Sequence, residues 1–137
     1  MKRQLTFDAE HDYSTREAIE LTVTLRDGDL FTSFEASIDT GSTFCIFKRG
    51  HAETLHLVVE AGTPLRVSTA TGTFTAYGHT LMLETLTFSF ETTVYFAAHE
   101  GLPRNVLGRR GWLNTVQLGI VDYEGKLYVS RYDEEPE

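Results

Sequence analysis

Apolar and polar residues alternate over many short stretches of this chain. Ile19, Leu21, Val23 and Leu25 fall on every second position with polar residues between them, the two-residue period of a half-buried strand. Arg26-Asp27-Gly28-Asp29 breaks the pattern with Asp-Gly, a hairpin signal. Leu30 to Asp39 then predicts the returning strand, with Phe34, Ala36 and Ile38 on one face. Pro64 to Ala70 and Thr73 to Leu83 predict two strands around Thr71-Gly72. Leu86 to Ala98 predicts another, with Phe88, Phe90, Thr92, Val94 and Phe96 on one face. Val116 to Val121 and Lys126 to Tyr132 predict a last hairpin around Asp122-Tyr123-Glu124-Gly125. Helix is expected only over Lys48 to Leu57, with Ala52, Leu55 and His56 inward and Gly50 as a weak point, and over one or two turns within Arg109 to Asn114. Many short strands with one or two short helices predict a mainly β domain, a closed barrel or a folded-over sheet.

Composition narrows the class. A chain of 137 residues predicts one domain, taken as 1–132, followed by an acidic tail over 133–137. A net charge of −8 and a pI near 5.1, with no basic stripe, argue against nucleic-acid binding. No apolar run approaches the roughly 20 residues of a membrane-spanning helix, and no apolar stretch follows Lys2-Arg3 as a secretory leader requires. One cysteine, Cys45, cannot form an internal disulfide and suits a reducing compartment, so a cytoplasmic location is expected. The five histidines form no metal-binding spacing such as His-Glu-x-x-His, so no metal is expected. Cys45, within an apolar run, reads as a small buried hydrophobe, and Trp112 and Leu113 read as packing residues.

The segment with chemical character is Ala36-Ser37-Ile38-Asp39-Thr40-Gly41-Ser42. It places a carboxylate where an apolar strand meets a glycine turn, expected to be partly buried among backbone N–H groups. Gly41 lets the backbone come close, and Thr40 and Ser42 bring hydroxyls that orient a carboxylate. By itself the triplet also suits an ordinary turn, where Asp, Thr, Gly and Ser are all common.

Four features in order resemble the retropepsin-like aspartic proteases, the group of retroviral proteases and their bacterial relatives. An apolar strand ends in Asp39-Thr40-Gly41-Ser42, and Phe44-Cys45-Ile46-Phe47 follows. A hairpin near Ala70-Thr71-Gly72-Thr73 stands where that family has its flap. Asn105-Val106-Leu107-Gly108-Arg109 matches the second signature, two apolar residues and a glycine before a short helix. The resemblance implies a small closed β barrel of the retropepsin or pepsin-lobe type. It implies Asp39 as the catalytic carboxylate, supported by Thr40, Gly41 and Ser42, with Thr71 and Gly72 in the flap and Leu107, Gly108 and Arg109 in the second signature. No cofactor is implied. The chain has one Asp-Thr-Gly, so the resemblance implies a homodimer acting on a peptide or protein substrate. A catalytically inactive peptide-binding dimer and an unrelated ligand-binding barrel are the alternative readings.

Departures from the family pattern are also legible. Thr43 occupies the position of the acid that pairs with the signature arginine in retroviral members, so Arg109 lacks its expected partner. The chain continues into the 116–132 hairpin where retroviral chains end. Ser42 is expected to donate its hydroxyl to an ionised Asp39 and so stabilise the charge.

Overall fold

The structure is a computed structural model that describes residues 1–132. The proposed acidic tail, 133–137, lies outside the described residues. Ten strands are present among them: β1 (Ala9–Asp12), β2 (Glu20–Asp27), β3 (Leu30–Ile38), β4 (Ile46–Phe47), β5 (Thr63–Thr69), β6 (Gly72–Thr85), β7 (Phe88–Ala97), β8 (Val106–Leu107), β9 (Val116–Val121) and β10 (Lys126–Arg131). One α-helix, α1 (Arg49–Thr54), follows β4. The protein is mainly β, as its alternating pattern predicts.

Seven strands form one sheet in the order β2-β3-β8-β4-β7-β6-β5. Strand β2 also pairs with β6, Leu25 opposite Leu83, so the sheet closes on itself and leaves β5 outside the ring. The inward faces of β2 and β7 are those read from the sequence: Leu21, Val23 and Leu25 from β2 and Val94 and Phe96 from β7 are fully buried, and Leu83 from β6 is buried with them. The β2–β3 turn falls at Gly28, whose φ of +64° suits glycine. Trp112 is fully buried against this core and satisfies its indole by donating to Thr85 Oγ1 at 2.9 Å. Burying an aromatic of that size removes roughly 200 Å² from water, worth about 5 kcal/mol before entropy.

The last hairpin, β9–β10, forms a separate three-stranded sheet with β1 in the order β1-β10-β9. Strand β1 has no counterpart in the sequence prediction. Ser130 helps hold it: its hydroxyl donates to the Thr6 carbonyl at 3.0 Å and accepts from the Asp8 N–H at 2.7 Å.

Helical structure departs from expectation in two places. Helix α1 is six residues long and ends before His56, which has φ +60° and is exposed rather than packed inward. Ala52 and Leu55 are buried as predicted. Within Arg109 to Asn114 there is no α-helix, only a 3₁₀ turn at Leu113–Thr115. Gly111 sits at φ +106°, outside the helical region, and Arg110 is drawn into a parallel bridge with Phe44.

His51 takes the inward place expected of His56. It stacks on Phe34 with ring centroids 3.8 Å apart, and its buried Nε2 has no hydrogen-bond partner among the described residues. Burial first, and the Lys48 charge second, push the imidazole below its ordinary value of 6.5. The unfolded chain therefore binds this proton more readily than the folded one. The stability contributed by neutral His51 is complete above the unfolded value and is lost as pH falls through the lower folded value. Urea titrations are expected to show stability falling as pH drops below about 6.5, with His51→Phe flattening the slope. An acid slope identical in the two proteins rules His51 out as its cause.

Candidate active site

The end of β3 is fixed by β8. The two run parallel, with Ser37 opposite Val106 and Ile38 opposite Leu107. The Ser37 N–H donates to the Asn105 carbonyl and the Asp39 N–H to the Leu107 carbonyl, both at 2.9 Å. The chain then turns through Thr40 and Gly41 and comes back over β8. The Arg109 N–H donates to the Ser42 carbonyl at 2.8 Å and the Arg110 N–H to the Thr43 carbonyl at 2.7 Å. The two signature segments are thus laced together by backbone hydrogen bonds on both sides of a crossing.

Gly108 stands at that crossing. A Cβ built there would lie 2.2 Å from the Phe44 carbonyl oxygen and 2.8 Å from that of Ser42. Its own N–H points at Cys45 Sγ, 3.4 Å away. Cys45 is fully buried, and burial pushes its thiol up to about 12, so it serves as packing and not as a nucleophile.

Asn105, which precedes β8, was not singled out as a site residue from the sequence. It is buried and both ends of its amide are engaged: Oδ1 accepts from the Lys48 N–H at 2.8 Å and Nδ2 donates to the Glu35 carbonyl at 3.1 Å. One side chain therefore pins β3, the start of α1 and the approach to β8. A polar residue beside an apolar pair is an ambiguous signal, since the same pattern describes a turn.

Asp39 is exposed in the isolated chain, not partly buried as expected. One backbone donor reaches its carboxylate, the Gly41 N–H, which bonds Oδ1 at 2.9 Å. A Cβ at Gly41 would stand 3.3 Å from the same oxygen, so glycine keeps the carboxylate uncrowded. The expected contact from Ser42 is absent: its hydroxyl donates to the Phe44 carbonyl at 2.7 Å. The turn is tight enough to aim that side chain along the returning strand, where it stiffens the loop instead of touching the carboxylate.

The carboxylate opens into a cleft of about 670 Å³. Asp39, Gly41 and Ser42 form one part of its lining, and the β5–β6 hairpin contributes Val67, Thr71 and Phe74. Leu102, Pro103, Arg104 and Val106 form another wall. The hairpin closes through the pair Thr69–Gly72, with Gly72 at φ +143° at the start of β6. Of the predicted residues, Asp39, Gly41, Ser42 and Thr71 share this cleft, whereas Gly72 is at the hairpin tip and Thr40 is exposed outside the lining. Leu107 and Gly108 are buried beneath the loop. Arg109 is exposed and makes no ion pair among the described residues, as the threonine at position 43 foreshadows. Among the described residues, no group of three His, Cys, Asp or Glu side chains is placed to hold a metal ion. No helix among them is long and apolar enough to cross a membrane.

Comparison with known proteins agrees with this geometry. The family described as aspartyl protease matches residues 21–110, the span from β2 to the second signature. No curated protein sequence matches the chain. Among solved structures, the EIAV protease complexed with the inhibitor HBY-793 superposes with a TM-score of 0.54 at 16% identity, over 69% of this chain and 84% of that one. At that identity the likeness is one of fold.

Proposed function

The chain belongs to the aspartyl protease family, and from that premise we propose that it is a homodimeric aspartic endopeptidase with one Asp39 from each copy. The observation that carries this reading is the open state of the Asp39 loop. In a single chain the carboxylate is exposed beside a cleft, with a backbone N–H on one oxygen, and the other acid of the lining, Glu100, makes no hydrogen bond to it among the described residues. Peptide hydrolysis needs a base and an acid in the same step, and one carboxylate supplies one of them. A second copy related by a two-fold axis supplies the other.

Two carboxylates held a few Å apart share one proton, since both cannot ionise cheaply; aspartic proteases are the standard example of this coupling. The ionised member takes a proton from a bound water as the water oxygen attacks the peptide carbonyl. The protonated member gives its proton to the carbonyl oxygen. In the second step the proton acquired from water passes to the departing amine, the other carboxylate takes a hydroxyl proton back from the gem-diol, the C–N bond breaks and the product carboxyl C=O re-forms, which leaves one proton on the pair again. None of these steps calls on a cofactor. The β5–β6 hairpin, projecting over the cleft with Thr71 in its lining, is suited to cover an extended peptide and exclude water.

The unpaired Arg109 favours a second reading, a dimer that binds peptides without cleaving them, because the ion pair that braces this region in retroviral members is missing. Concentration dependence separates the readings. Cleavage of a mixed peptide library between pH 4 and 7 is expected to rise with the square of protein concentration while monomer predominates. It becomes linear once light scattering shows dimer. A linear rate from a monomer rejects the shared site. A confirmed dimer that cleaves nothing moves the conclusion to peptide binding.

A further inference from the structure

We infer that Arg104 makes the cleft selective for peptides carrying an acidic side chain close to the bond that is cut, an inference that rests on the protease reading above. Arg104 is the sole lysine or arginine among the cleft-lining residues. Its position there follows from its neighbour. The Asn105 side chain is fixed inward by the Lys48 N–H and the Glu35 carbonyl. Arg104 and Val106 on either side of it both line the cleft, while Asn105 itself is buried. Asn105 also accepts the Ser37 N–H through its carbonyl, two residues before Asp39. The guanidinium is therefore carried by backbone that is tied to the backbone of the carboxylate.

Other charges near this wall are accounted for. Arg104 makes no ion pair among the described residues. Glu35, whose carbonyl Asn105 holds, spends its carboxylate on Arg16 and Thr22. Glu60 spends its carboxylate on Arg49, which holds it below the usual carboxylate range. Glu100 also lines the cleft but forms no ion pair with Arg104. Leu102, Pro103 and Val106, its neighbours in the chain, and Ile46, which pairs with Val106, add apolar lining. A guanidinium with no ion-pair partner keeps its donors free for a substrate carboxylate, which its planar fork can bind in bidentate fashion. In a chain of net charge −8, a cation at the substrate site also offsets the general repulsion of acidic peptides.

The test uses decapeptides with an apolar pair at the centre and either Glu or Gln at one flanking position, each position in turn. At low salt the wild-type protein is expected to cleave the best Glu peptide about tenfold faster in kcat/KM than its Gln partner, with the ratio shrinking as salt is added. Arg104→Gln should bring the ratio near one, Arg104→Glu should invert it, and Arg104→Lys should restore part of it. Arg104 is exposed, so these variants are expected to fold. Equal rates on Glu and Gln peptides by wild type, or a ratio that survives Arg104→Gln, overturns the inference. If the dimer cleaves no peptide, the protease reading fails on its own, and fluorescence anisotropy of the same labelled pairs then decides the charge preference. Tighter binding of Glu peptides that is lost in Arg104→Gln supports it, and equal affinities overturn it.

Discussion

Asp39→Asn is expected to abolish peptide cleavage while leaving the fold and the dimer intact. Asparagine has the same shape, and its Oδ1 still accepts the Gly41 N–H that Asp39 accepts at 2.9 Å. The side chain is exposed, so no buried charge is lost and the thermal midpoint should shift little. What disappears is the proton site. A dimer of two asparagines has neither the base that activates water nor the acid that protonates the carbonyl oxygen. General acid–base catalysis is worth about 10²–10⁴-fold, and both partners are lost at once, so the rate should fall by at least the upper part of that range. Mixing wild-type and Asp39→Asn protein gives a sharper form of the test. If each copy supplies one carboxylate to a shared site, mixed dimers are inactive and excess mutant suppresses wild-type cleavage. If each chain works alone, activity simply follows the amount of wild type present.

Much of this arrangement is legible in the sequence where a local rule and the tertiary structure agree. The Asp27-Gly28 turn, the strand through Leu21, Val23 and Leu25, and the hairpin around Thr71-Gly72 all appear where alternation and turn residues put them. Each of those strands buries one face against a neighbour, so its period is written in apolar residues. Strand β1 escapes the same reading because Ala9-Glu10-His11-Asp12 carries almost no apolar signal. It pairs with β10 and is held by polar contacts, among them Lys126 to Glu10 at 2.7 Å and a His11 Nε2 contact with the Glu20 carbonyl at 2.8 Å. Contacts of that kind leave no period.

The site shows the same division. The Asp39-Thr40-Gly41 turn and the Val106-Leu107-Gly108 stretch are visible as patterns, but the bonds between them join residues some 70 positions apart in the chain, and no local rule reports them. That is why Asn105, with its partners at Glu35 and Lys48, emerges only from the structure. Ser42 departs for a local reason: its hydroxyl has two acceptors within three residues, and the turn gives it the Phe44 carbonyl instead of Asp39. The helix expected after Gly108 fails for a non-local one. The N–H groups of Arg109 and Arg110 bond the 42–43 segment, and the positive φ at Gly111 ends any helical course.

Gly108→Ala is expected to be among the most damaging single-methyl changes in the protein, destabilising it by about 3–5 kcal/mol. Conformation is not the reason, since Gly108 is not among the glycines at positive φ. Space is. The added Cβ meets the Phe44 carbonyl oxygen at 2.2 Å, its carbon at 2.6 Å and the Ser42 carbonyl oxygen at 2.8 Å. All three are backbone atoms, so no rotamer change relieves the contact. Either the 42–44 segment moves away or β8 does, and overpacking of this kind costs about 1–3 kcal/mol. Such a shift also strains the bonds from Arg109 and Arg110 to the 42–43 carbonyls, each worth about 0.5–1.5 kcal/mol net. The contrast is Gly50→Ala in α1, where nothing lies within 4 Å of the added methyl. There the lower conformational freedom of alanine should stabilise by about 0.5–1 kcal/mol. Chemical denaturation of the two variants reads both signs. If Gly108→Ala keeps its fold, cleavage should still fall, because the Asp39 N–H is held by the Leu107 carbonyl, one residue from the displaced glycine. A Gly108→Ala protein with wild-type stability and wild-type cleavage would mean that the crossing does not set the position of Asp39.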